Sequence, residues 1–296
     1  MNYSELIYEK GEEGLEATFS YSLKSSFAKS DHILFAYIYP YTYQDCVLSI
    51  QEVEAKCAKQ AHIHFDQRVI GKSLEGRPLT QMTIASNKAL EEDRPVVFFT
   101  GRVHCGESPA SYMLQGVLDK LTDFENRQTA VLLDNYIFKI IPMLNPDGVA
   151  RGYWRFDTLG VNLNRFYKEP TIEHHPTILA AKNAILEEYD KNRLKMYVDF
   201  HAHCTKRGCF IFGNTITDPD LQYEAMMIPK LMSLNSTNFD FRECNFQDEK
   251  NNVKDKKGDS RDGSARACIF RETNGNPLTY TLEANYATGL RVNSLC

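Results

Sequence analysis

The sequence predicts an α/β fold with a mostly parallel or mixed central sheet and helices on both faces. Three observations predict it. Short, continuously apolar runs of the kind found in buried strands recur along the chain. Stretches with helical spacing separate them, and the strand, helix, strand rhythm continues to the last run. With 296 residues, 43% hydrophobic and 25% charged, the chain is long enough to bury one sizeable core and has the composition of an ordinary globular protein.

Residues 33–43 (ILFAYIYPYTY) cluster β-branched and aromatic residues as a strand does and break at Pro40. A helical stretch follows over about 44–60. QRVIGKSLEGRPLTQMTIA holds two strand-like runs around a glycine-containing turn, and RPVVFFTGRV is a buried strand. Ser108 and Pro109 are placed to open the next helix as N-cap and first-turn proline, ahead of SYMLQGVLDKL with its helical spacing. The run YIFKIIPML, a helix over 176–193, the strand KMYVDFHAH and a last strand LTYTLEANY complete the alternation. Residues 250–271, with seven Lys/Arg against three Asp and no periodicity, are expected to form a loop over the site.

No run approaches the roughly eighteen apolar residues of a spanning helix. The opening MNYSELIYEKGEEGLEATF lacks the basic start and apolar core of a signal peptide, so a cytoplasmic address follows. Eight scattered cysteines suit reduced thiols better than a disulfide framework. A net charge of −5 argues against general nucleic-acid binding, which needs a basic face, and nothing calls for a membrane.

Directly after the VVFFT run stand His104 and Glu107, and directly after VDF stand His201 and His203. A short HxxE pair with a distant histidine is a His₂Glu metal set; catalytic zinc takes three such ligands and keeps a fourth position for water. All three would lie at the carboxyl ends of strands, where open α/β sheets place their ligands. Each alone has a plainer reading, because HxxE recurs by chance and a strand-end histidine is usually a hydrogen-bonded structural residue. The rest of the constellation decides between them. A hydrolytic zinc needs a carboxylate to move the proton of the attacking water, and Glu283 sits inside the apolar run TYTLEAN, where an unpaired carboxylate is costly. The loop NPDGVARGYWRFDTLGVNLNR carries Arg155 and Arg165, and arginine grips carboxylates bidentately.

In order and separation, the HxxE, NPDGV…R…GVNLNR, DxHxH and YTLE motifs resemble those of the zinc metallocarboxypeptidases, and among them the cytosolic carboxypeptidases that deglutamylate tubulin. The likeness runs from about residue 33 to the end. It implies a three-layer metallocarboxypeptidase fold over residues 46–296, lacking its last helix and preceded over 1–45 by a remnant of a β-sandwich domain. It implies one Zn2+ per chain on His104, Glu107 and His201, and Glu283 as the general base. Arg155 would stabilise the oxyanion, and Asn164 and Arg165 would hold the terminal carboxylate. The family's preference for glutamate implies a cation for the leaving side chain; Lys206, Arg207 and Arg266 are candidates, against the plainer reading that they solvate a loop. The implied partners are polyglutamylated tubulin or other glutamate-rich protein tails, cleaved at a linear end or a branch point, in a cytoplasmic, microtubule-associated or nuclear setting. The net +4 of residues 250–271 would gather such tails.

His203 matches no ligand of the family and is read as supporting a ligand or as structural. Cys105 stands where many members have proline and is expected to be inert. Asn162 replaces an aspartate that orients the first zinc histidine in many members; its amide oxygen accepts the same hydrogen bond without the charge. Because the family fold continues beyond the base-bearing strand, a second reading is a non-catalytic tubulin- or metal-binding module left by truncation. A third is a related zinc amidohydrolase acting on small acylated amino acids.

Overall fold

The structure is a computed structural model that describes residues 38–247 and 260–287 throughout, together with 7–10, 15–18, 20, 32, 33, 35 and 36. The chain divides into a unit ending at Tyr37 and a unit beginning at Ile38. In the first, β1 (Ile7–Lys10) and β2 (Leu15–Thr18) pair antiparallel.

The second unit is built on a seven-stranded sheet. Its spatial order is β3 (Ile63–Lys72), β4 (Pro78–Ser86), β6 (Ile137–Ile141), β5 (Val96–Gly101), β7 (Leu194–His203), β9 (Thr279–Asn285) and β8 (Cys209–Phe212). The central pairs β6–β5, β5–β7 and β7–β9 are parallel, and the flanking pairs are antiparallel, so the sheet is mixed as the sequence predicts. Apolar side chains alternate between its two faces. Val97, Phe99, Phe138, Ile140 and Phe200 fall on one, and Val96, Phe98, Ile137, Ile141 and Tyr197 on the other.

Helices cover both faces. The first takes α1 (Tyr43–Cys57) through Ile50 and Val53, α3 (Ser108–Leu121) through Leu114 and Leu118, and α4 (Arg127–Asn135) through Leu133. The second takes α6 (Pro176–Asp190) through Ile178, Ala181 and Ile185, and α8 (Ala265–Glu272) through Cys268 and Ile269. Three shorter or less amphipathic helices complete the unit: α2 (Asn87–Glu91), α5 (Pro146–Ala150) and α7 (Pro219–Asn235). Glu188 of α6 is fully buried and accepts from Lys139 Nζ at 2.5 Å and Arg193 Nη2 at 2.6 Å.

Three expectations are corrected. None of the described residues among 33–43 before Tyr43 lies in a strand. Thr42 instead caps α1 in a reciprocal box, its hydroxyl accepting from Asp45 N at 3.1 Å while Asp45 accepts from Thr42 N at 2.7 Å. The tyrosine run just ahead is pinned through its carbonyls, by Ser108 Oγ at Tyr39 and Arg102 Nη2 at Tyr41. Second, Glu107 and not Ser108 occupies the N-cap of α3; the Ser108 hydroxyl is engaged with Tyr39. Third, residues 261–271 are not a loop. They form a 3-10 turn, Arg261–Gly263, and most of α8, whose apolar positions Ala265, Cys268 and Ile269 recur at helical spacing between arginines. Residues 250–259 lie outside the described residues. Cys46, Cys57, Cys105, Cys204, Cys209, Cys244 and Cys268 are all unpaired thiols. Among the described residues no helix is long and apolar enough to cross a membrane.

Candidate active site

Three parallel strands end at one place. Past β5 the chain turns through His104 to Glu107, at the start of α3; β7 delivers His201, in register with Glu283 of β9. Ligand atoms of His104, Glu107 and His201 lie within 4.8 Å of one another, and all three residues are buried. The far nitrogen of each ring is engaged by an acceptor: His104 Nε2 by Asn162 Oδ1 at 3.0 Å, His201 Nε2 by Asp199 Oδ2 at 2.7 Å. That places the protons on Nε2 and turns both Nδ1 lone pairs toward the Glu107 carboxylate, at 2.8 and 3.0 Å. Two lone pairs and a carboxylate converging in a buried space require a cation between them, and this donor set suits zinc. In the metal-free protein the same demand for positive charge is met by a proton on His201, which a bound cation would displace. Burial opposes the charge on Glu107, but His104 and His201 outweigh it and hold the carboxyl well below its usual range. Burial likewise disfavours a proton on His201, yet Asp199 and Glu107 raise its pKa well above normal.

Asp199, fully buried, also accepts from Thr100 Oγ1 at 2.7 Å, so its carboxylate is fixed before it orients His201. Such outer partners set ring orientation and ligand basicity. Asp199→Asn is therefore expected to weaken zinc binding by ~10–100-fold, measured by competition with a chelating indicator. Unchanged affinity would reduce Asp199 to a packing role.

A cavity of about 340 Å³ opens over the metal group. Glu283, Arg155, Asn164, Arg165 and Arg266 all line it. Glu283 is buried, and its Oε2 has no hydrogen-bond partner among the described residues. Burial pushes its carboxyl up to about 8, with His201 pulling the other way. Arg155 Nη1 stands 3.5 Å from Glu107 Oε1. Asn164 Oδ1 accepts from Ala265 N at 2.9 Å, and Arg165 Nη1 donates to the Asn164 carbonyl at 2.7 Å. The turn beneath α8 presses on this pair so closely that a Cβ on Gly263 would fall 1.9 Å from the Arg165 carbonyl oxygen. Arg266 is held by the Gly213 carbonyl and Asn214 Oδ1.

Lys206 and Arg207 are not brought to this cavity. Lys206 Nζ donates to the Glu243 carbonyl at 2.8 Å and lies over the Phe210 ring, and Arg207 is exposed. The Cys105 thiol donates to the Phe156 carbonyl, and burial pushes its pKa up to about 12, which suits an inert group. Sequence reasoning passed over Trp154 and Tyr286, whose rings stack 5.4 Å apart on the cavity wall. Gly106 was the available signal for Trp154: a Cβ there would lie 2.6 Å from the indole ring.

The profile of a family described as zinc carboxypeptidase matches residues 49–288. Cytosolic carboxypeptidase-like protein 5 of Bos taurus is 29% identical over 377 aligned positions, covering 88% of this chain and 42% of the relative. Cytosolic carboxypeptidase 6 of Mus musculus is 34% identical over 265 positions, covering 88% and 46%. The same share of this chain thus needs many more positions against the bovine protein, which carries insertions this chain lacks. The chain spans less than half the length of these curated relatives. Among solved structures, a metallo-carboxypeptidase from Pseudomonas aeruginosa in complex with (2-guanidinoethylmercapto)succinic acid superposes with TM-score 0.72 at 18% identity, covering 95% of this chain and 68% of that one. A Burkholderia cenocepacia metallo-carboxypeptidase gives TM-score 0.69 at 22% identity, covering 84% and 61%. These two share the three-layer fold.

Proposed function

This chain belongs to the zinc carboxypeptidase family, and from that premise we propose that it removes glutamate from the ends or branch points of glutamate-rich protein tails, polyglutamylated tubulin among them. The setting proposed is cytoplasmic, at microtubules or in the nucleus.

His104, Glu107 and His201 would hold the zinc, which when bound would supply a Lewis acid to polarise the carbonyl and acidify water. Glu283 accepts the proton of the attacking water on its unpartnered Oε2 and delivers it to the leaving amine. Its elevated basicity suits that transfer near neutral pH. Arg155, at the rim of the metal group, donates to the oxygen on which negative charge develops. Asn164 and Arg165 orient the terminal carboxylate.

The observation that supports glutamate most directly is the buried Arg266 guanidinium on the cavity wall, braced by Gly213 and Asn214. A positive charge fixed there favours a leaving residue with an acidic side chain. The test compares release of the last residue from peptides ending in Glu-Glu and Glu-Gln. Wild type is expected to prefer the terminal glutamate. Arg266→Gln is expected to cut kcat/KM for the glutamate peptide by ~10–100-fold, the value of a charge-assisted bond, with a smaller loss for the glutamine peptide. Equal rates on both peptides in wild type would refute the glutamate reading.

A further inference from the structure

We propose that His203 and Arg261 form a second anion subsite, which takes the side-chain carboxylate of the residue preceding the terminal glutamate; this rests on the glutamate reading above. Both residues line the cavity, and neither has a task in the reaction as described.

The ring of His203 is oriented by the turn that follows it. Its Nδ1 accepts from Thr205 N at 3.3 Å and Lys206 N at 3.2 Å, which leaves the proton on Nε2 and makes that edge a donor. Phe210 packs edge-to-face on the ring at 5.3 Å and holds its plane. The other charges nearby are committed. Lys206 pairs with Glu243 at 3.1 Å, and Asp262 pairs with Arg271, so among the described residues no acid engages Arg261. The terminal residue already has Arg165 with Asn164 for its α-carboxylate and Arg266 for its side chain. His203 lies two residues along β7 from His201, about 7 Å at the rise of a strand. A glutamate side chain whose own carbonyl sits at the metal group spans a similar distance. The ligand chemistry is thus a carboxylate on the residue whose carbonyl is cleaved.

Trp154 is the one tryptophan of the chain and lines the same cavity, so its fluorescence reads occupancy without turnover. N-acetylated Glu-Glu, Gln-Glu and Glu-Gln would be titrated into zinc-loaded Glu283→Gln protein, alone and with Arg261→Ala, Arg261→Lys or His203→Asn added. Glu-Glu is expected to bind about tenfold more tightly than Gln-Glu, the worth of a charge-assisted bond at a partly exposed site. Arg261→Ala should reduce that preference to less than twofold, Arg261→Lys should restore part of it, and His203→Asn should weaken it. Equal binding of Glu-Glu and Gln-Glu, or an equal fall for both with Arg261→Ala, overturns the subsite. The Glu-Gln arm separates the two proposals: binding as tight as Glu-Glu refutes the glutamate reading at the terminal position, while the penultimate comparison still decides on His203 and Arg261.

Discussion

Glu283→Gln is expected to lower kcat/KM for release of a terminal glutamate by ~10²–10⁴-fold, the usual contribution of a positioned general base, with zinc content unchanged. The separation of the two effects follows from the geometry. Glu283 is outside the three-residue metal group, and its Oε2 is a buried oxygen on the cavity wall with no partner among the described residues. The amide keeps the shape and removes the site that accepts the proton. Rates from purified zinc-loaded protein, with metal counted by atomic absorption, check both halves. A variant that keeps its zinc and more than a tenth of wild-type activity would remove Glu283 from the proton path.

The same residue links function to stability. In the metal-free protein its folded-state pKa is raised from 4.5 to about 8, chiefly by burial. A carboxyl raised in this way favours the folded state most below its unfolded pKa, and that contribution is lost as pH rises through the folded value. Between about pH 4.5 and 8, therefore, the Glu283→Gln protein gains on wild type in the absence of zinc. The carboxylate is retained where it costs stability, as a catalytic group is.

How much of this was legible in the sequence depended on whether the signal was local. The strands β5, β6 and β7 read clearly because both their faces are covered, which forces continuous apolar runs. His104 and Glu107 read from one turn. Asp199 was present in the DxHxH string but given no role, although residues two apart on a strand share a face, and its hydrogen bond to His201 is that rule at work. Lys206 and Arg207 stand near His201 in sequence, yet neither lines the cavity. The turn after β7 carries them off, and Glu243, on another segment, engages Lys206. Trp154 and Tyr286 come from distant segments that only the sheet topology joins. The aromatic residues at 39–43 carry strand-like side chains, but a capping box at Thr42 and Asp45 outweighs them and starts a helix.

Away from the site, Glu188→Ala is expected to cost about 3–5 kcal/mol of folding stability, as removal of one partner from a buried ion pair does. Glu188 is fully buried between Lys139 of β6 and Arg193, which begins the approach to β7. Arg193 retains Asp93 at 2.7 Å, but among the described residues Lys139 is left without an acid, its side chain only 11% exposed. The loss is therefore that of an uncompensated charge more than that of a favourable pair, and the distinction can be measured. Replacing both partners with apolar residues, Glu188→Leu with Lys139→Met, removes the stranded charge and is expected to recover most of the deficit. Urea unfolding of Glu188→Leu, Lys139→Met and the double variant reads the cycle. If the double variant is as unstable as Glu188→Leu, the deficit does not come from the charge stranded on Lys139.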